Sequence, residues 1–296
     1  MVNTRTKKAV LESQKTSSRW GPDRRLEFID FRLRWDGRLN RADLVAFFGI
    51  SVPQASLDIA KYLELAPGNL VYDRSARVYL TTSVFKPVYD TSSPSRLLNE
   101  LLAHAAGVIG DESSFIGWRA PVGYVPTPGR TLSADTLAVL LRAVREGRVV
   151  ELVYQSMNAE KPEPRLISPH AFAHDGFRWH VRAYCHKHLA FRDFVIARMS
   201  DVKQGDLAAE LGAEKDIEWH TEITLVLEPH LRLSAAQKRA VELDYGMTNG
   251  VVSFKCRQAL LFYALRYLHL DRAESGTPEQ QQVVVKSMSK PMAGLE

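Results

Sequence analysis

The stretch Asn40-Arg41-Ala42-Asp43-Leu44-Val45-Ala46-Phe47-Phe48-Gly49-Ile50-Ser51-Val52-Pro53-Gln54 decides the reading of this chain. Its first nine residues read as a short helix stopped by Gly49, because glycine enters the left-handed conformation that ends a helix without a steric penalty. Ser51 then caps a second helix to about Leu65, its hydroxyl offering an acceptor to the unpaired amides of the first turn. Pro67-Gly68-Asn69 follows, and two strand-like runs, Leu70-Val71-Tyr72 and Val78-Tyr79-Leu80, flank the turn Asp73-Arg74-Ser75-Ala76. Two helices at a tight turn with a hairpin behind them predict a winged helix-turn-helix, whose second helix lies in the major groove of DNA. Ala55, Ile59, Ala60 and Leu63 form the predicted apolar face of that helix, leaving Gln54, Ser56, Leu57, Asp58 and Lys61 outward.

The outward face carries one cation, Lys61, so base readout is expected to be uncharged. Gln54 suits a bidentate pair with adenine, Ser56 bonds either kind of base, and Leu57 suits a thymine methyl, with Ser51 and Pro53 at the helix start on the same surface. Phosphate attraction is assigned to Arg24, Arg25, Arg41, Arg74 and Arg77 and to the N-terminal tail. Charge is distributed to match: residues 1–83 hold 14 Lys/Arg against 9 Asp/Glu and the remainder 25 against 25, so the net +5 sits in the first 83 residues. Within it, residues 1–20 carry Arg5, Lys7, Lys8, Lys15 and Arg19 against Glu12, a tail that either solubilises or grips phosphate. Ahead of the motif, Asp23 caps a predicted helix to about Asp36, with Leu26, Ile29 and Leu33 on one face and Gly37 at its end.

At 296 residues and 45% hydrophobic content the chain is long enough for two or three cored domains. No apolar run approaches the roughly 20 residues that span a bilayer, and the polar, basic start has no signal-like apolar segment, so a cytoplasmic protein without a membrane partner is expected. Cys185 and Cys256 lie far apart in strand-like runs, which favours reduced buried thiols over a disulfide. The predicted organisation is a basic tail (1–20), a winged helix-turn-helix domain (21–83) and a helical and irregular connector (84–131) with one helix from about Pro94 to Ala106. A second domain (132–205) and a C-terminal α+β extension (215–296) follow.

The second domain opens with a helix from Ser133 to Glu146, stopped at Gly147. Four strand-like runs come next, Val149–Ser156, Arg165–Ala173, Phe177–Cys185 and Phe191–Val202, with Asp175-Gly176 marking a tight hairpin. Such runs predict a small, strongly bent sheet or barrel. Alternation along the third run sets Phe177, Trp179, Val181, Ala183 and Cys185 against Arg178, His180, Arg182 and Tyr184. One sheet surface is expected to gather Tyr154, Ser156, His180, Arg182, Tyr184, Arg192 and Arg198, forks for phosphate beside rings for base stacking; the competing reading pairs the same arginines with Asp193, Asp201 or Glu151 within the fold.

The run Ile167-Ser168-Pro169-His170, the run Gly176-Phe177-Arg178-Trp179-His180-Val181-Arg182-Ala183-Tyr184 and the run Phe191-Arg192-Asp193-Phe194-Val195-Ile196-Ala197-Arg198-Met199 resemble a WYL domain. The resemblance implies an Sm-like small β-barrel regarded as a ligand sensor in bacterial transcription regulators. His170 and Trp179 then join the ligand-binding candidates, and His180 stands in the place of the name-giving tyrosine. Gly49-Ile50-Ser51-Val52-Pro53-Gln54-Ala55-Ser56-Leu57-Asp58 and Glu64-Leu65-Ala66-Pro67-Gly68-Asn69-Leu70-Val71-Tyr72 are similar to the WYL-regulator subgroup called BrxR or CapW. That resemblance implies homodimeric repressors of anti-phage defence operons such as BREX and CBASS.

In the last third, Ile223–Glu228 and Val251–Lys255 alternate as strands, Ser234 caps a helix to about Tyr245, Gln258–Leu270 is an apolar helix and Val283–Lys286 a returning strand. The resemblance implies a dimerisation role for this region, with Leu261, Phe262, Leu265 and Leu268 as candidates; ordinary intrachain core is the competing reading. The expectation is therefore an α+β multidomain protein: a homodimeric repressor on an inverted-repeat, double-stranded operator, its effector a nucleotide or nucleic-acid fragment, with no cofactor. Two other functions compete with this one. One is an RNA or single-strand adaptor using the small barrel. The other is a metal enzyme built on His170, His174 and Cys185-His186-Lys187-His188, whose spacing does not favour a ligand set. No phosphate loop, nucleophile elbow or carboxylate pair accompanies them, so no catalytic residue is expected.

Overall fold

The computed structural model describes residues 21–90, 93–126, 128, 131–271 and 277–289. The basic tail, residues 1–20, lies outside them. The chain divides into two compact units, Met1–Pro126 and Thr127–Glu296.

The first unit begins with α1 (Pro22–Asp36), whose end is fixed by Gly37 at φ +70°. A two-residue strand, β1 (Arg38–Leu39), leads into α2 (Arg41–Phe48). Asn40 and Asp43 exchange side-chain and backbone bonds in a capping box at the start of α2, and Gly49 closes it at φ +65°. The Ser51 hydroxyl accepts from the Gln54 amide at the start of α3 (Val52–Leu65). The axes of α2 and α3 turn by 115°, within the range of a helix-turn-helix. The wing strands are β2 (Leu70–Asp73) and β3 (Val78–Thr81), in a sheet ordered β1-β3-β2. Sequence periodicity missed β1, because two residues carry no period; it pairs Arg38 and Leu39 with Leu80 and Tyr79.

Beyond the wing the chain is pinned back by a buried polar network. The Tyr62 hydroxyl donates to Asp30 at 2.6 Å, and Asp30 also accepts from the backbone amides of Val88 and Tyr89. Then α4 (Pro94–Ala105) starts at a Ser93 cap. The segment after it is irregular apart from one 3-10 turn, yet it supplies a central core residue. The Phe115 ring is fully buried and lies edge-on to Phe28, Phe31 and Phe47 at centroid distances of 5.2, 5.9 and 5.4 Å.

The second unit opens with α5 (Ala134–Glu146), capped by Ser133 and ended by Gly147 at φ +58°. Five antiparallel strands follow: β4 (Arg148–Tyr154), β5 (Glu163–His174), β6 (Trp179–Cys185), β7 (Ala190–Val195) and β8 (Met199–Ala208). Their order is β7-β6-β5-β4-β8, with α5 packed across the sheet. Register shifts in β4 and β5 bend it, as bulges do. The expected closed barrel does not form among the described strands, since no pairing joins the edge strands β7 and β8. A further correction concerns the run Phe191–Val202. It is not one strand, because a 3-10 turn at Ile196–Arg198 breaks the ladder and sends β8 to the opposite edge.

The chain then enters α6 (Ile217–His220), a single turn capped by Asp216, and a sheet ordered β10-β9-β11. That sheet comprises β9 (Glu222–Pro229), β10 (Val252–Arg257) and β11 (Val283–Met288). Between β9 and β10 lies α7 (Ala235–Asp244), with a Ser234/Gln237 capping box. The apolar helix expected over Gln258–Leu270 is shorter: a 3-10 turn leads into α8 (Leu261–Tyr267), and His269 leaves the helix at φ +57°. Of the expected dimer candidates, Leu268 packs on the intrachain core with Val252 and Phe254, whereas Phe262 is 57% exposed.

Candidate nucleic-acid interface

The surface of α3 is set by which residues its packing removes. Ala55, Ile59 and Tyr62 are buried, whereas Ala60 and Leu63, expected on the apolar face, are exposed. Tyr62 takes their place because its hydroxyl reaches Asp30 while its ring fills the core. What remains outward is Ser51, Pro53, Leu57 and Lys61, all exposed, with Gln54 and Ser56 half-buried between them. Leu57 is 65% exposed, so its side chain is open to a partner on this face. The Ser56 hydroxyl donates to the Val52 carbonyl, so its oxygen is left to accept.

Two expectations for this surface are corrected. Asp58 points inward, 3% exposed. Arg25, expected at phosphate, is buried against it, with Nε to Oδ2 at 2.7 Å and Nη2 to Oδ1 at 3.2 Å. A bidentate pair with a carboxylate 33 residues away holds α1 on α3 and removes that guanidinium from the protein surface. Arg24 is also engaged within its unit, with Nη1 2.7 Å from Glu27 and its guanidinium 4.1 Å above the Phe115 ring.

The remaining cations are placed on the wing side. Arg41 is exposed and bonds the Tyr79 hydroxyl at 3.1 Å. Arg74 and Arg77 are exposed on the turn between β2 and β3. That turn is tied by Asp73 Oδ1, which accepts from the amides of Ser75 and Ala76, and Arg77 sits at φ +54°. Sequence reading passed over Arg38, exposed in β1 and lining a cavity of about 650 Å³ with Arg77, Trp35 and Trp118. Its only signal was a basic residue directly after the Gly37 helix stop.

In the second unit the expected basic-aromatic face does not assemble. The alternation along β6 is as read: Val181, Ala183 and Cys185 face the core, while His180, Arg182 and Tyr184 face the other way. Arg192, however, pairs opposite Ala183 and so belongs to the other face from Arg182; the residue beside Arg182 is Asp193. Tyr154 is a core residue, its ring 5.1 Å from Phe194 and its hydroxyl accepting from the Val195 amide. Ser156 follows β4 and accepts from the Asn158 amide, and Arg198 is half-buried in the 3-10 turn. Trp179 lies 49% exposed, its ring 4.8 Å from that of His174.

The face that does form is closed by the chain itself. Arg182 is 4% exposed and donates from Nε and Nη2 to Asp216 at 2.7 and 3.0 Å, and from Nη2 to Glu218 at 2.9 Å. Burial alone would lower the Arg182 pKa, but these carboxylates hold it well above its ordinary value. Burial likewise works to raise Asp216, yet the Arg182 bonds keep its pKa below the usual carboxylate range. His170 Nε2 lies 3.0 Å from the same carboxylate, and burial depresses its pKa despite that neighbour. His180 is anchored on Asp175 at 3.0 Å beneath the Tyr263 ring. An open, stacked platform for single strands is therefore not present on this face, and the RNA-adaptor reading loses its support. For the metal reading, no group of three His, Cys, Asp or Glu side chains converges among the described residues.

Comparison with known proteins covers the same segments. Residues 22–103 match the family described as "BrxR transcriptional regulator winged helix-turn-helix domain", residues 135–204 "WYL domain", and residues 222–290 "BrxR transcriptional regulator, C-terminal dimerization domain". The chain is 46% identical over 288 residues to the DNA-binding transcriptional repressor CapW of Escherichia coli (strain KTE188), covering 96% of each. It is 48% identical over 271 residues to the Pseudomonas aeruginosa protein of that name, covering 91% of this chain and 90% of the relative. The Stenotrophomonas maltophilia counterpart is 46% identical over 279 residues, with 94% and 93% covered.

Proposed function

Because the chain belongs to the CapW family of DNA-binding transcriptional repressors, we propose that it silences an anti-phage defence operon, of BREX or CBASS type, as a homodimer on an inverted-repeat operator. It is a repressor with a winged-helix DNA-binding domain and a dimerization domain, not an enzyme. The observation that carries the reading is identity near one half across almost the whole length of both chains. Two α3 helices related by a two-fold axis address half-sites spaced by whole turns of about 10 base pairs. Gln54, Ser56 and Leu57, with Ser51 and Pro53 at the helix start, are proposed to face the bases. Arg41, Arg74 and Arg77 on the wing side, with Lys61 and Arg38, are proposed to hold phosphates.

The WYL domain is proposed to respond to a nucleotide or nucleic-acid fragment in the cytoplasm. Support comes from the anionic character of the groups already on Arg182: a ligand phosphate offers the same oxygens as Asp216 and Glu218. Such a ligand changes operator occupancy only by binding the DNA-competent and incompetent dimers with different affinity. Phosphate would have to displace Asp216, which lies at the entry to the dimerization segment and thereby links the two events.

The test is a salt-matched shift assay with the protein's own promoter region against random duplex of equal length. Preference for the promoter, and loss of promoter silencing in cells lacking the protein, supports the reading. Equal binding to both duplexes refutes it.

A further inference from the structure

Gln54 is hung on a buried ion pair, and that arrangement constrains what the residue can read. Its Nε2 donates to Asp58 Oδ1 at 3.0 Å, one helical turn along α3. Asp58 is itself held from α1 by the two bonds of Arg25 at 2.7 and 3.2 Å. A carboxylate only accepts, so the amide cannot turn over: Nε2 must face Asp58, and Oε1 is left to the outside. One of the two Nε2 protons is consumed by this bond. The anchored amide therefore presents a single donor and a single acceptor.

We propose that Asp58, positioned by Arg25, sets Gln54 to read adenine and to reject guanine. In the major groove adenine offers an acceptor at N7 and a donor at N6, which match one N–H and one Oε1. Guanine offers two acceptors, N7 and O6. An unanchored glutamine satisfies both by giving its two Nε2 protons. The anchored one has a single proton to give and turns Oε1 toward a second acceptor, a repulsive contact. Asp58 touches no base in this scheme; besides holding α1 on α3 it is a positioning residue whose effect on readout appears in the choice between two purines. The inference rests on the proposed base contact of Gln54.

The experiment uses the full-length protein and its own promoter duplex, with each A·T pair of a protected half-site changed in turn to G·C at fixed salt. Wild type is expected to show a position where the change costs about fivefold or more. Gln54→Ala removes the preference at that position. Asp58→Asn is expected to erase or reverse it: the Arg25 donors claim the Asn oxygen, its amide then faces Gln54, and the glutamine turns over to present both protons. Arg25→Met with Asp58→Leu removes the anchor and both charges of the pair together, and serves if Asp58→Asn fails to fold. That double variant should bring adenine and guanine within about twofold of each other at that position, whereas general damage would weaken all duplexes alike. If Gln54→Ala abolishes the preference and the Asp58 variants retain it, the anchoring is refuted and the base contact stands. If Gln54→Ala changes no position, the base contact itself is refuted, and the anchoring with it.

Discussion

Replacing Asp216 by Ala tests whether the closed face of the second unit is a source of stability. Asp216 is 1% exposed and accepts two bonds from Arg182, one contact from His170, and the Trp219 amide at the start of α6. Removing one member of a buried ion pair costs about 3–5 kcal/mol, because the remaining charge is left without its partner. Arg182 keeps Glu218 at 2.9 Å and Asp193 at 3.4 Å, so the loss belongs at the low end, about 3 kcal/mol. With a urea dependence of about 2 kcal/mol per M, the midpoint should fall by about 1.5 M. Urea unfolding followed by circular dichroism at fixed protomer concentration measures this, the concentration held constant because dimerisation contributes to apparent stability. Arg182→Met combined with Asp216→Leu should recover more than half of the loss, since no bare guanidinium remains. A midpoint within about 0.3 M of wild type for Asp216→Ala would refute the reasoning. So would a double variant as unstable as the single one.

Three other outcomes follow from the structure and the charge pattern. Burial depresses the His170 pKa in the folded state, so the unfolded chain binds more protons. The second unit's stability should therefore be full above about pH 6.5 and fall as pH drops below it, and His170→Gln should flatten that slope in pH-dependent melts. Phe115→Ala should destabilise the first unit by about 3–5 kcal/mol although residue 115 lies in an irregular segment; a loss under about 1 kcal/mol in denaturant titration would contradict its central packing. Deleting residues 1–20 removes five cations. It should flatten the salt dependence of operator binding while preserving the preference for operator over random duplex, and loss of that preference in shift assays would contradict the division of labour between tail and helix.

Those elements with a local chemical signature were legible in the sequence. Gly49, Ser51, Gly147 and Ser234 each mark a helix end through bonds or backbone angles spanning three or four residues, and the helices begin and end there. Partnerships across long separations left no such mark. Arg25 and Asp58 read as surface charges because nothing local reveals a carboxylate 33 residues away. For Arg182 the nearby Asp193 was legible as a competing partner, but Asp216, 34 residues ahead, was not. The misplacement of Arg192 came from register: alternation within β7 fixes which residues share a face, but only pairing with β6 decides which face that is. The break between β7 and β8 is the 3-10 turn at Ile196–Arg198, which lies inside a run read as one strand.

The span of 34 residues between Arg182 and Asp216 also sets an order of events during synthesis. At about 5–20 residues per second, the ribosome delivers Asp216 some 2–7 s after Arg182. The strands from β4 to β8 all precede Asp216 in the chain, so once they have left the ribosome the nascent sheet completes its ladders with Asp193 beside the guanidinium and Asp216 still to come. The arrival of Asp216 and Glu218 completes its ion pairs. A chain halted with β8 outside the exit tunnel and Asp216 still within it thus holds a finished sheet whose Arg182 has Asp193 but not Asp216, and release from that halt is the step that completes its ion pairs.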